Sequence, residues 1–136
     1  GTIILYNADA VDQEITVIRT IFRLWIYPRV VDDDEKWGLV YAINPEGTQI
    51  VAQPSLSTGN PYGDNDACPE QEIARWCGTY RTVGTDSLVV TPIEIKEDIK
   101  TARKIGPGDK LVLLTRCEAT DAYHLSGVVT ILYKKA

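Results

Sequence analysis

The chain has 136 residues, 44% of them hydrophobic and 24% charged, which fits one soluble globular domain spanning 1–136. At this size a folded surface of roughly 7,100 Å² replaces roughly 22,000 Å² of unfolded surface, enough for a real core. Lys and Arg number 14 against 19 Asp and Glu, a net charge of -5, so the domain by itself does not read as a polyanion clamp.

Ile, Val and Thr supply 39 residues whereas Ala and Leu supply 10 each, a balance that favours strands over helices. The apolar runs fall short of the roughly 18 residues a membrane helix needs, and no signal peptide opens the chain, so no membrane partner is expected. Cys68, Cys77 and Cys117 are odd in number, which suits a reducing compartment and leaves a single Cys68–Cys77 bridge open.

In chain order, residues 2–6 (TIILY) predict a short strand and 7–13 a polar link. Residues 14–27 (EITVIRTIFRLWIY) predict a long strand, with Ile18, Phe22, Leu24 and Ile26 on the core parity and Arg19 and Arg23 on the other. Pro28 ends it, 32–35 (DDDE) forms a charged turn, and 37–43 (WGLVYAI) returns antiparallel. A turn at 44–47 and a short strand at 48–52 follow. Residues 54–72 hold three prolines and two glycines in 19 positions, a long loop of the kind kept for a task or an interface. Residues 70–77 (EQEIARWC) suggest one or two helical turns. Strands resume at 79–83 and 87–97, the latter interrupted by Pro92. After a basic stretch at 99–105, the GPGD turn at 106–109 leads to a strand at 110–116; a polar loop at 118–122 precedes the last strand at 123–134. About eight short strands with Gly- and Pro-rich turns predict an all-β, single-domain antiparallel sandwich or barrel.

No catalytic constellation emerges. His124 is the sole histidine, seven residues from Cys117, and reads as a partly buried structural residue. Cys68, Cys77, Cys117 and His124 lack the close spacing of a zinc site, and the acids at 32–35 and at 64, 66, 70 and 72 do not fit a calcium loop: Pro69 and Arg75 occupy its sixth and twelfth positions counted from Asp64. Dinucleotide, phosphate-loop and serine-hydrolase motifs are missing from the sequence, so neither metal, cofactor nor enzymatic activity is expected.

Basic residues are sparse but grouped. Arg19 and Arg23 share a strand face, Lys100, Arg103 and Lys104 precede the GPGD turn, and Lys134 and Lys135 close the chain. Such residues can line a surface that meets phosphates, although from charge alone solvated strand faces are the simpler reading. Trp25, Trp37 and Trp76 read as core or subunit-contact residues, being scattered over different elements.

The order of these features resembles the single jelly-roll capsid proteins of small circular single-stranded DNA viruses. The likeness runs from ITVIRTIFRLWIY through WGLVYAI and ACPEQEIARW to RKIGPGDKLVLLTR and LSGVVTILYK. It implies a jelly-roll β-sandwich, many identical subunits in a closed icosahedral shell, a packaged single-stranded DNA genome, and location in the virion and, during assembly, the host nucleus. It says nothing of a host surface receptor. Family members commonly carry an Arg-rich amino-terminal arm facing the genome; none occurs here, so that charge is expected before Gly1. Subunit contacts are expected at Pro54, Tyr62, Asp64, Asp66 and Trp76, and nucleic-acid contacts at Arg19, Arg23, Lys100, Arg103 and Lys104. The rival reading is a carbohydrate-binding or adhesion sandwich using Tyr62, Trp76 and Tyr80.

Overall fold

The β-branched segments bounded by turn residues become strands that pair antiparallel throughout. The computed structural model describes residues 2–7, 14–27, 35–44, 72–80, 92–117 and 124–135. Among them are eight strands: β1 (Thr2–Asn7), β2 (Ile15–Tyr27), β3 (Glu35–Asn44), β4 (Glu72–Tyr80), β5 (Ile93–Ile99), β6 (Arg103–Ile105), β7 (Lys110–Cys117) and β8 (His124–Lys135). They form two four-stranded sheets, one ordered β1-β7-β3-β4, the other with β2 at its centre, β8 along one side and β5 then β6 along the other. This is an all-β sandwich with jelly-roll-like connections. The expected strand at 48–52 and polar loop at 118–122 lie outside the described residues, as do 81–83 and 87–91 of the strands expected at 79–83 and 87–97, the charged turn up to residue 34, and all but the last residue of the loop expected at 54–72.

The long strand departs from its expected parity. Ile15 and Val17 point inward, then Thr20, Phe22, Leu24 and Ile26 do so, and Ile18 between the two sets is 37% exposed. The pairing with β8 steps from Val17↔Tyr133 to Arg19↔Leu132, leaving Ile18 as the extra residue of a bulge. One inserted residue reverses every following side chain, so Ile18 falls off the core face to which alternation assigns it.

The second departure is β4. Residues 72–77, expected to be helical, are strand paired to β3 from Glu35↔Tyr80 to Ala42↔Glu72. A helix this short has too few hydrogen bonds to offset its nucleation, whereas a strand gains a full ladder and carries Trp76 to the core. Gly78 accommodates that pairing: a Cβ there would lie 2.8 Å from Nε1 of Trp37.

The sheets meet over an aromatic centre. Phe22 packs edge-on against Tyr41 and Trp76, with ring centroids 4.9 and 5.1 Å apart. Around it sit Leu24, Ile26, Leu39, Ile95, Ile105, Leu111 and Leu113, all buried. Thr20 of β2 and Tyr41 of β3 share a buried hydroxyl–hydroxyl hydrogen bond of 2.8 Å, joining the sheets. Val40, Ala42, Val112 and Leu114 form a second buried cluster on the opposite parity of β3 and β7. Both faces of these central strands are therefore apolar, which explains the nearly continuous hydrophobic runs of their sequences. The GPGD segment is a turn closed by Asp109 N–H donating to the Gly106 carbonyl at 3.1 Å, with Gly108 at φ 81°, a conformation that favours glycine.

Candidate nucleic-acid interface

Because β2 is central, its outward residues form rows with those of its neighbours. Arg23 lies between Lys96 of β5 and Val128 of β8; Trp25 lies between Glu94 and Ser126; Thr16 lies between Lys104 and Lys134. Ile21 lies between Asp98 and Thr130. This face thus gathers Arg19, Arg23, Lys96, Lys104 and Lys134 within an acidic chain.

Those cations differ in how far they are already engaged. Arg19 donates to both oxygens of Asp98, at 2.8 and 2.5 Å, across to the neighbouring strand. The shared hydrogen bond and charge hold the Asp98 carboxyl below its ordinary pKa and raise that of Arg19. Lys104 has Glu14 at 3.9 Å. Arg23 and Lys96 are exposed, face each other across the ladder, and have no ion pair among the described residues. Like charges directly opposed on a sheet repel, and an anion bound between them relieves that repulsion.

The expected nucleic-acid residues do not all converge. Arg19, Arg23 and Lys104 share the outer face; Lys100 follows β5 and is exposed; Arg103 pairs with inward-facing Val17, is half-buried, and reaches the Ala102 carbonyl at 3.5 Å. Sequence reasoning overlooked Lys96 because its place opposite Arg23 depends on a register between segments some 70 positions apart. The alternation IEIKE already marked it as a solvent-facing position.

Of the expected subunit contacts, Pro54, Tyr62, Asp64 and Asp66 lie outside the described residues, as do Cys68 and the acids at 32–34 and at position 70. Trp76 is half-buried against Phe22. His124 is exposed at the start of β8, not partly buried as expected, because β8 is paired on one side only among the described residues. Cys77 is a half-buried free thiol. Glu72 accepts from Arg75 at 2.5 Å. Among the described residues no group of three or more His, Cys, Asp or Glu is placed to hold a metal ion.

A groove of about 720 Å³ opens beside β4 and β5, lined by Trp37, Arg75, Trp76, Cys77, Glu94 and Lys96 among others. Its two tryptophans serve the core: Trp37 is 8% exposed and Trp76 abuts Phe22. Comparison with known protein families, with curated proteins and with solved structures finds no match to this chain.

Proposed function

We propose that this protein is a structural shell subunit, many copies of which assemble into a closed icosahedral virion around a single-stranded DNA genome. The observation that supports this reading most is the outward pair of Arg23 and Lys96, two exposed cations opposed on a sheet face with no described counter-ion. In the assembled particle that face turns inward and meets phosphates, contributing affinity without reading bases. Pro54, Tyr62, Asp64 and Asp66, which lie outside the described residues, carry subunit contacts on this reading. The role is architectural, not catalytic, and is exercised in the virion and in the nucleus during assembly.

The test is the salt dependence of oligonucleotide binding. Replacing Arg23 by Gln should weaken binding of a single-stranded DNA and flatten the plot of log K against log salt by about 0.7 for each phosphate no longer neutralised. Lys110→Gln, on the other sheet, should leave the slope unchanged. Equal slopes for both variants and the parent would overturn the assignment of this face.

The groove beside β4 and β5 supports a carbohydrate-binding or adhesion sandwich as second reading, since the part of Trp76 left exposed there meets carboxylate and guanidinium groups. Saturable quenching of tryptophan fluorescence by a soluble glycan, with no particle formed, would select it.

A further inference from the structure

The outward face of β2 carries aromatic side chains as well as cations, in rows set by the strand register. Trp25 alternates with buried Leu24 and Ile26, takes no part in the buried cluster, and stands half-exposed on the outer face between Glu94 of β5 and Ser126 of β8. Two residues on, Tyr27 is 41% exposed and lies opposite His124, itself exposed. Two residues back is exposed Arg23, with Lys96 opposite on one side and Val128, 63% exposed, on the other. Alternate residues of a strand stand about 7 Å apart on one face, so the cationic pair and the two rings form a short track along β2.

The charge along that track changes sign. Arg23 and Lys96, without an ion pair among the described residues, attract an anion between them, whereas one row further the exposed carboxylate of Glu94 repels one. A ligand lying along β2 therefore places a phosphate at Arg23 and Lys96 and an uncharged group against the indole. Half-exposed indole and phenol rings offer that group a flat apolar face. A duplex brings phosphates but keeps its bases inside its own stack. An unpaired strand fills both rows, its phosphates on the cations and its bases on the rings.

We infer that Trp25 and Tyr27 are stacking positions for the bases of an unpaired nucleic-acid strand whose backbone is held at Arg23 and Lys96. Every base has a π-face, so the stacking tolerates any sequence and adds affinity of its own beside the phosphate contacts. The inference rests on the nucleic-acid reading of this face and is independent of shell formation. It makes the face selective for strands whose bases are free.

The test titrates the purified protein with two single-stranded DNA oligomers of equal length and backbone charge, one of mixed sequence and one abasic throughout, at several salt concentrations. The base-bearing strand should bind at least about tenfold more tightly than the abasic one. Trp25→Leu should reduce that ratio by about fivefold and keep the parent's salt slope, whereas Arg23→Gln should lower the slope and keep the ratio. Equal affinity of the unmodified protein for both strands would overturn the stacking while leaving the phosphate contacts standing, and this comparison needs no variant to fold. A ratio unchanged in Trp25→Leu would overturn it too. Failure of both strands to bind would overturn the nucleic-acid reading of the face and the stacking with it. Self-association that Trp25→Leu abolishes would assign the face to a second copy, which also contradicts the inference.

Discussion

The hydroxyl pair joining the sheets offers the sharpest stability experiment. Thr20 and Tyr41 are each 1% exposed, and their oxygens lie 2.8 Å apart among Phe22, Leu39 and other apolar side chains. Thr20→Val preserves shape and β-branching but leaves the tyrosine hydroxyl without its partner. A buried polar group left unsatisfied costs about 1–3 kcal/mol, whereas replacing both partners by apolar groups is close to neutral. Thr20→Val and Tyr41→Phe should therefore each destabilise by about 1–2 kcal/mol, and the double variant by no more than either single change. The resulting coupling energy is about 1–2 kcal/mol, and each kcal/mol lowers the melting temperature by about 3–5 °C at this chain length. Urea melts of the four proteins in the cycle measure it. Additivity of the two single effects to within about 0.5 kcal/mol would refute the account of a shared buried bond.

Tyr41 also predicts an alkaline limb. Burial raises its pKa above the ordinary 10.0, so as pH rises past that value the unfolded chain releases the proton first and stability falls until the folded value is passed. Tyr41→Phe should flatten stability between pH 9 and 11 in melts, roughly the range in which an unperturbed tyrosine titrates. Asp98 acts in the opposite range: its depressed pKa gives a contribution present above the ordinary carboxylate value and lost as pH falls through the folded one. Asp98→Asn should reduce the acid dependence seen below pH of about 4, a small effect on an exposed pair. Gly127 has φ 137°, and a Cβ there would sit 2.1 Å from the Arg23 carbonyl oxygen. Gly127→Ala should cost about 1–3 kcal/mol from backbone strain alone and separate β8 from β2, read by exchange of the β8 amides. Trp76→Ala should cost about 2–3 kcal/mol in the same melts, less than a fully buried aromatic because Trp76 is half-buried.

The parts of this fold legible in the sequence are those governed by local chemistry. Alternation and β-branching located 2–6, 110–116 and 123–134, and the GPGD turn follows from Pro107 and the positive φ of Gly108. What escaped was decided by contacts distant in sequence. Ile18 is displaced by a bulge fixed by β8, more than 110 residues later. EIARW is a strand because β3 offers it a ladder, although its residues tolerate a helical turn. The candidate interface divides the same way. Arg19 and Arg23 are readable from parity, but that Asp98 neutralises the first while Lys96 sets a like charge opposite the second is revealed only by the register of β5. That β8 pairs on one side only among the described residues has no signature in its own sequence, since an edge strand and a central one share the same pattern.

The central claim, that the sandwich is the building block of a closed shell, is tested most directly by light scattering of the purified protein across a range of salt concentrations. The account predicts a uniform spherical species in the megadalton range that carries nuclease-protected nucleic acid. A monodisperse monomer or dimer at every salt and protein concentration would contradict it.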